Sequence, residues 1–423
     1  MAVTRRNMMA RLAAGASALA ARPLPAFAAS APIASGDYWA EVAAQYDVTR
    51  EVIQLENGNW GMMARPVLET YRELVARVNR ETSFYARRTM VRDLGAVRER
   101  LAAYLGVGTD EIVLTRNATE ALTALIGQYN RLGAGDALLC ADLDYDSMMA
   151  SMASAASRRG ARLLKITLPE PASYDNILAA YAAAFAANPA LKLVLLTHIS
   201  HRTGLMLPVR EIVAMARARG IDTIVDAAHS LGQADFRLAD LDADFVGINL
   251  HKWIGAPLGV GAAYIRRERL SAIDPDPAED AGAEGIWARV HTGTLDYATQ
   301  LSVPAALDFS ERIGSSRRAA RLLELRARWV EPVRELAGVE VLTPDDPRCH
   351  AGITSFRLAG KASVDDNRAL SGCLLDEFGI FTVLRTGLAS GACVRVTPAL
   401  FNSFDDLDAL ATAVAQIAGE WGD

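Results

Sequence analysis

Cysteine and histidine are scarce in this chain, which has four cysteines and six histidines among 423 residues. The cysteines are too few and too widely separated to form a disulfide framework. They are Cys140, Cys349, Cys373 and Cys393. His198 and His201 stand close together, but no further ligands follow at the spacing of a zinc site. We therefore expect neither a disulfide-stabilised fold nor a metal site.

An excess of charge of one sign and long apolar runs are also missing. The chain has 44 basic and 50 acidic residues and a net charge of −6, with no basic patch that would favour nucleic acid. After the N-terminus, no apolar run reaches the length of a membrane span. A hydrophobic content of 51% at this length suffices for one large domain and a smaller one.

The first 29 residues differ from the rest and resemble an export signal. The stretch Thr4-Arg5-Arg6-Asn7 is similar to a twin-arginine motif, an Ala/Leu-rich segment follows, and Ala26-Phe27-Ala28 fits a cleavage site. An alanine-rich tail or a short cytoplasmic leader is the alternative interpretation. We expect a signal peptide over residues 1–29, a periplasmic protein exported by the twin-arginine route, and no membrane span once the signal is removed.

Short apolar runs alternate with helical patterns between residues 111 and 265. This alternation predicts an α/β fold with a mainly parallel sheet. After Pro304 the pattern changes to a long charged helix at about 305–337, strands at 351–358 and 380–385, and a closing helix at 403–420. We predict a large domain over 61–305, a smaller α+β domain over 306–423, and an N-terminal lead-in, residues 30–60, that packs on the smaller domain.

Asp226 and Lys252 each follow an apolar run that predicts a buried parallel strand, at 223–225 and 245–248. Open α/β sheets bind their ligands at the carboxyl ends of such strands. A pyridoxal phosphate (PLP) site needs an amine for covalent attachment and a carboxylate that keeps the pyridine nitrogen protonated. Lys252 and Asp226 supply this pair. For these two residues alone, an exposed lysine and a helix-capping aspartate are the alternative.

Other predicted strand ends carry groups that suit the same cofactor. Residues 117–120, Asn-Ala-Thr-Glu, open a helix whose first amides and the Thr119 hydroxyl can hold a phosphate. Tyr145 lies in the next such loop and can stack on the pyridine ring. His201 and His229 lie in two more and can reach its phenolic oxygen. Each residue alone also suits a capping or core role, but together they predict a PLP site.

With these residues, the sequence resembles the class V aminotransferase family of fold-type I PLP enzymes over about residues 50–415. The segments Asp226-Ala227-Ala228-His229 and Asn249-Leu250-His251-Lys252 carry most of the resemblance. Asn57-Gly58 and the stretch at 117–120 are most similar to the isopenicillin N epimerase-like branch. The resemblance implies a large domain with a mainly parallel seven-stranded sheet and a smaller α+β C-terminal domain.

The family's cofactor contacts can be carried over to matching positions. The resemblance implies that Lys252 binds PLP covalently, Asp226 pairs with the pyridine nitrogen and His229 approaches the ring hydroxyl. It implies a phosphate site built from several residues, namely Ala118 through its backbone, Thr119, Asn249 and His251. Tyr145 stands where the family often has a stacking aromatic or histidine, and His201 where many members have asparagine.

Two further positions concern the substrate and a second subunit. Thr294 matches a Gly-Thr segment that reaches the phosphate of the neighbouring subunit, which implies a homodimer with shared active sites. Arg395 matches an arginine whose guanidinium suits bidentate pairing with a substrate α-carboxylate. The expected partner is thus a small-molecule amino substrate, and no nucleic acid.

Family members that are cysteine desulfurases carry a nucleophilic cysteine where this chain has Ser390. Cys393 lies two residues from Arg395 in a predicted strand, which makes it a poor persulfide carrier. A desulfurase is therefore disfavoured. We expect a PLP-dependent aminotransferase or epimerase that acts at the α-carbon of an amino acid or of an amino-acid-derived metabolite, such as an exported peptide or siderophore. A PLP-dependent carbon–sulfur lyase is the alternative, and a cofactor-binding protein without turnover is disfavoured.

Overall fold

The computed structural model describes residues 38–421, so the predicted signal at 1–29 and the start of the lead-in lie outside the described residues. The described chain begins with α1 (Tyr38–Ala43) and β1 (Ile53–Gln54), followed by α2 (Arg65–Arg88) and α3 (Met90–Leu105). Pro66 lies in the first turn of α2, where its missing N–H breaks no helical hydrogen bond. Gly106 ends α3 with a φ of 71°, a conformation that glycine adopts easily.

Seven strands form the central sheet. They are β2 (Ile112–Thr115), β3 (Ala137–Ala141), β4 (Arg162–Ile166), β5 (Leu191–Thr197), β6 (Asp222–Asp226), β7 (Phe245–Asn249) and β8 (Gly261–Ile265). Their spatial order is β2-β8-β7-β6-β5-β3-β4. Strand β8 is antiparallel to both neighbours, and every other pairing is parallel. The predicted mainly parallel seven-stranded sheet is confirmed.

Helices connect these strands and cover the sheet. They are α4 (Ala118–Gln128), α5 (Asp146–Arg159), α6 (Tyr174–Ala187) and α7 (Val209–Arg217). Buried side chains such as Leu122, Met152 and Phe245 form one apolar core, and each contributes roughly 1.5–3 kcal/mol through burial. Helix α4 lies close to β7 at Gly247, where a Cβ would come within 2.5 Å of Leu122 Cγ. This close approach places the first turn of α4 beside the end of β7.

The C-terminal part begins with three helices, α8 (Tyr297–Leu301), α9 (Val303–Ile313) and α10 (Ser315–Arg334). It continues with β9 (Val339–Val341), β10 (Thr354–Leu358), α11 (Val364–Asp376), β11 (Ile380–Phe381), β12 (Val383–Leu388), β13 (Gly391–Val396) and α12 (Phe404–Trp421). Strands β12, β13, β10 and β9 form an antiparallel sheet in that order. A second apolar core, including Trp329, Phe356 and Leu410, packs helices against this sheet.

The predicted helix at 305–337 is wrong as a single element, because α9 ends before Gly314 and α10 begins after it. Gly314 has a φ of 88°, which an α-helix does not accommodate and which other residues rarely adopt. Helix α11 was not predicted, although Ser363 and Asp366 form a capping box at its start. A Ser-x-x-Asp signal is a recognisable helix start, so it could have been found in the sequence.

The segment before α2 joins the C-terminal part of the chain. Strand β1 pairs in parallel with β11, and Leu55 lies in the second apolar core. Thr397 N donates to Leu55 O at 2.8 Å, and Asn57 N donates to Thr397 Oγ1 at 2.8 Å. The predicted domain boundaries stay predictions, but these contacts carry residues 55–58 to the end of β13. Within residues 38–421, no helix is long and apolar enough to cross a membrane.

Candidate active site

A cleft of about 270 Å³ opens at the carboxyl ends of the central strands, near the lower end of the size range of small-molecule sites. It brings together ten of the predicted site residues: Ala118, Thr119, Tyr145, His201, Asp226, His229, Asn249, His251, Lys252 and Arg395. Other residues that line the cleft were not predicted as site residues, including Gly58, Asn59, Thr197 and Arg385. Thr294 is exposed and does not line the cleft.

The amine of Lys252 follows the end of β7 and is hydrogen-bonded to His229, with 2.9 Å between Nζ and Nε2. Trp253 Nε1 lies 3.4 Å from His229 Nδ1 and can only donate, so Nδ1 accepts and the ring proton lies on Nε2. Burial lowers the pKa of Lys252 to about 8 and the pKa of His229 well below its ordinary value. Both features favour an uncharged lysine, which is the nucleophilic form.

Asp226 ends β6 and is buried, with Oδ1 accepting a hydrogen bond from Ala228 N at 2.9 Å. Burial raises the pKa of Asp226, while the Ala228 hydrogen bond and the charge of Lys252 oppose this rise. A protonated pyridine nitrogen beside this carboxylate would supply the compensating charge that burial demands. The environment of Asp226 therefore fits the predicted role of the residue.

Asp144 also supports the cleft and was not predicted. Its Oδ1 accepts hydrogen bonds from Thr197 N at 3.0 Å and from Thr197 Oγ1 at 2.7 Å, and its Oδ2 accepts one from Ala141 N at 2.7 Å. Burial raises the pKa of Asp144 to about 7. These bonds fix the loop that carries Tyr145 to the end of β5, so Asp144 positions the wall of the cleft.

The phosphate end of the cleft is the first turn of α4. Asn117 caps this helix by accepting from Glu120 N at 2.8 Å, and Ala118 N donates to Asn249 Oδ1 at 2.8 Å. Thr119 lines the cleft at this turn, where helix amides favour an anion. His251 Nδ1 lies 2.9 Å from the carbonyl oxygen of Val260, so it donates there and Nε2 remains for another partner. Burial lowers the pKa of His251, and a nearby phosphate would raise it.

Tyr145 and His201 together form one wall of the cleft, with ring centroids 5.2 Å apart and planes at 86°. His201 Nδ1 is buried and has no hydrogen-bond partner within the described residues. Burial lowers the pKa of His201 well below its ordinary value, so the ring is neutral. A buried, unpaired nitrogen is costly unless a bound group supplies its partner. This observation, with the Lys252–Asp226 pair, shows that the cleft fits PLP.

A buried ion pair closes the other end of the cleft. Arg395 Nη2 lies 2.6 and 2.8 Å from the two carboxylate oxygens of Glu56, and Arg395 Nη1 donates to His201 O at 2.6 Å. Arg385 Nη2 lies 3.6 Å from Glu56 Oε1. Sequence reasoning missed Glu56 and Arg385. An acidic residue inside the otherwise uncharged stretch 55–61 was the available signal for Glu56.

Two glycines allow the loop at 57–61 to fit against these residues. A Cβ on Gly58 would come within 2.4 Å of Arg395 Nη2, and a Cβ on Gly61 within 1.8 Å of Lys252 O. Gly61 N donates to His251 O at 2.9 Å. The loop backbone therefore covers both the guanidinium and the segment that carries the lysine.

The two residues considered for sulfur chemistry lie outside the cleft. Ser390 is held by Arg357 Nη1, which donates to Ser390 O at 2.9 Å, and by a short hydrogen bond to Glu170. Cys393 is buried in β13, and burial raises the pKa of its thiol to about 12. A thiol at this pKa is not an available nucleophile near neutral pH.

The Aminotransferase class-V family model matches residues 63–410. The chain belongs to this family. It is 29% identical over 400 residues to an isopenicillin N epimerase of Streptomyces clavuligerus, covering 90% of this chain and 99% of that protein. It is 34% identical over 222 residues to a putative L-cysteine desulfhydrase of Oryza sativa subsp. japonica, covering 48% of this chain and 45% of that one.

The fold is also found among solved structures. A mutant of C-DES, with glycine covalently linked to its PLP cofactor, superposes with a TM-score of 0.76 at 22% identity, covering 88% of this chain and 98% of that one. The fold is thus that of the fold-type I PLP enzymes. Membership of the Aminotransferase class-V family, together with the fit of the cleft, gives PLP as the cofactor. Within the structure, Lys252, Asp226, His229 and the first turn of α4 are the groups that would hold it.

Proposed function

We propose that the protein acts at the α-carbon of an amino acid, or of an amino-acid residue within a larger metabolite, as an aminotransferase or epimerase. The observation that carries this proposal is the hydrogen-bonded Lys252–His229 pair in the same cleft as Asp226 and the arginine end. PLP, when bound, supplies a protonated ring that accepts the electron pair left at the α-carbon. The family match and the relationship to isopenicillin N epimerase support this class of reaction.

Residues at the two ends of the cleft have different roles in this reaction. The substrate carboxylate is held at the Arg395 end, which fixes the orientation of the α-carbon. Lys252 carries the proton to or from that carbon, since burial keeps its pKa near the pH at which a base is effective. His229 positions the amine through the hydrogen bond between its Nε2 and Lys252 Nζ. Asp226 keeps a compensating negative charge beside the ring nitrogen. The loop at 57–61 packs against the backbone that carries Lys252.

Exchange of the α-hydrogen in heavy water tests this function. The holoenzyme is incubated in heavy water with a panel of amino acids and of peptides that have a free amino terminus. Deuterium incorporation at the α-carbon is followed by mass spectrometry. We expect exchange with at least one member, loss of exchange in Lys252→Ala, and no sulfide release from cysteine. A panel without exchange, together with sulfide release from cysteine, would contradict the proposal.

A carbon–sulfur lyase is the second candidate, and the similarity to a putative L-cysteine desulfhydrase favours it. Such an enzyme needs no catalytic cysteine, so the burial of Cys393 does not argue against it. Sulfide release that persists in Cys393→Ala would identify the lyase. Sulfide release that depends on Cys393 would instead indicate a desulfurase.

We also propose the protein's setting. The twin-arginine-type segment supports export to the periplasm. A periplasmic location suits an enzyme that modifies an exported peptide or siderophore. Thr294 is exposed and lies outside its own cleft, which supports a homodimer in which it reaches the neighbouring subunit's phosphate site.

A further inference from the structure

Lys252 borders a second cavity besides the cleft. This cavity has a volume of about 40 Å³ and lies between the segment at 252–255, the loop at 57–62 and the first turns of α10. One water molecule needs roughly 10–15 Å³ of such space, so the cavity can hold a small ion or a few waters. Its charged lining residues are Lys252 and Arg318, and no acidic residue within 38–421 lines it. The charge around the cavity is therefore positive.

The guanidinium of Arg318 is a buried cation with uncharged partners. Arg318 is 3% exposed. Its Nη2 donates to Ser310 Oγ at 2.6 Å and lies 3.5 Å from the Tyr104 hydroxyl. Its Nε is buried and has no hydrogen-bond partner in the described part of the chain, where no carboxylate forms an ion pair with this guanidinium either. Burial of a charge without a counter-ion is costly, so this site favours an anion.

Other buried arginines show how the protein usually satisfies such a group. Arg395 and Arg357 each form an ion pair with a carboxylate. Arg326 has none, but its Nε donates to the hydroxyl of Thr354 at 2.9 Å and its Nη2 donates to a backbone carbonyl oxygen. Arg318 has neither a carboxylate nor an acceptor for its Nε among the described residues, and it borders a cavity.

Tyr46 supplies a second hydrogen-bond donor at this cavity. Its ring packs against Phe309 and Phe401, with centroids 6.0 and 5.6 Å away. Burial raises the pKa of Tyr46 to about 12, while the nearby charge of Arg318 opposes this rise. The hydroxyl therefore keeps its proton near neutral pH and can donate it to a hydrogen bond.

We propose that this cavity binds a small monovalent anion, such as chloride, between Arg318 and Tyr46. A guanidinium N–H and a phenolic O–H both donate, so a group that only accepts satisfies both. Water in the same space would leave the charge of Arg318 uncompensated, whereas an anion cancels it. The volume suits an ion and is far below that of sites for organic ligands. This anion site does not depend on which reaction the cleft catalyses.

Bromide locates the site directly, because it substitutes for chloride and scatters X-rays anomalously. The holoenzyme is crystallised in sodium bromide without chloride, and an anomalous difference map is calculated from data collected at the bromine absorption edge. We expect a peak inside the cavity, within hydrogen-bonding distance of the Arg318 guanidinium. Density there without an anomalous signal, or bromide peaks at the protein surface alone, would overturn the proposal.

Thermal unfolding of the holoenzyme measures the same binding in solution. Sodium gluconate, with an anion too large for the cavity, is replaced stepwise by sodium chloride at constant ionic strength. The melting temperature should rise by about 2–4 °C and then saturate, because a ligand that binds the folded state stabilises it. Arg318→Met should abolish this rise, since the cation is lost. Tyr46→Phe, which removes one neutral donor, should raise the half-saturating chloride concentration by about three- to tenfold.

Arg326→Met is the matched control. Arg326 is also buried on α10 and lacks a carboxylate partner within the described residues, but it does not line the cavity. This variant should melt at a lower temperature than the native enzyme and keep the native response to chloride. A native response that is absent or does not saturate would overturn the proposal, as would a response that survives in Arg318→Met or disappears in Arg326→Met. If Arg318→Met does not fold, the bromide map and Tyr46→Phe still decide.

Discussion

His229 Nε2 lies 2.9 Å from the amine of Lys252, and Trp253 Nε1 donates to the other ring nitrogen of His229. Burial lowers the pKa of Lys252 to about 8. A folded-state pKa below the ordinary value of about 10.4 means that the amine is protonated below pH 8 and free above it. The nucleophilic reactivity of the site therefore depends on whether the Lys252 amine is protonated.

Covalent attachment of PLP to the apoprotein should accelerate as pH rises, with a midpoint near 8. The neutral amine attacks the cofactor's aldehyde and the protonated amine does not. Stopped-flow absorbance across about two pH units on either side of this midpoint, corrected for the titration of free PLP, measures the profile. Borohydride should then fix the label on Lys252 alone. A midpoint near the ordinary lysine value, or a label on another lysine, would contradict this assignment.

Asp226→Ala should still bind PLP but lose most of its turnover. The buried carboxylate would keep the ring nitrogen of bound PLP protonated, which is what lets the ring accept electrons, so its loss should lower the exchange rate by about a hundredfold to a thousandfold or more. Asp226→Asn, which keeps the size of the side chain, serves as the control for packing and should lose a comparable amount. Near-native exchange in either variant would mean that another group keeps the ring protonated.

Removing one partner of the Glu56–Arg395 pair should destabilise the protein strongly. Arg395→Met leaves the buried carboxylate of Glu56 with only the 3.6 Å approach of Arg385 as an ionic contact, which should cost up to about 3–5 kcal/mol in the free energy of unfolding. Adding Glu56→Gln should restore part of this loss, because the orphaned charge is removed. Urea unfolding of the holoproteins measures the difference.

The exposed pair of Arg328 and Asp408 offers a matched control for that measurement. Arg328→Met should cost only about 0–1 kcal/mol, because water screens a surface ion pair. Equal losses at the two sites would show that the charge of Glu56 is compensated by another group, such as Arg385.

Replacing Arg5 and Arg6 together with lysine should keep the protein in the cytoplasm with its N-terminus uncut. Lysine retains the charge but not the planar guanidinium, which is the feature specific to the twin-arginine motif. The same double change at Arg11 and Arg22 is the control and should leave export intact. Cell fractionation with mass spectrometry of the N-terminus gives the answer. Processed periplasmic protein from the Arg5/Arg6 variant would refute this route.

The central strands could be predicted from the sequence because each is a continuous apolar run. The strands predicted at 223–225 and 245–248 lie within β6 (Asp222–Asp226) and β7 (Phe245–Asn249). The same regularity locates Asp226 and Lys252 at strand ends, and the cleft then brings them together. The prediction of one long C-terminal helix was wrong because the arginine-rich pattern continues across residue 314. The positive φ of Gly314 separates the two helices there.

The arginine end of the cleft could not be predicted in the same way. Glu56 and Arg395 are separated by 339 residues, and no local pattern in either segment specifies the other. Whether Arg395 faces the cleft as a free cation or as half of an ion pair depends on the tertiary arrangement. Resemblance to a family identifies Arg395 but does not reveal its counter-ion, because that depends on one residue in a loop far away in the sequence.

The contacts of residues 55–58 with β13 have a consequence for biosynthesis. The loop that covers Lys252 leaves the ribosome early, but Thr397, its partner through Asn57, is 340 residues further along the chain. Closing so long a loop is entropically unfavourable until most other contacts exist. The cleft is therefore completed among the last steps of folding, and chains that terminate before β13 lack both the cover over the lysine and the arginine that locks Glu56.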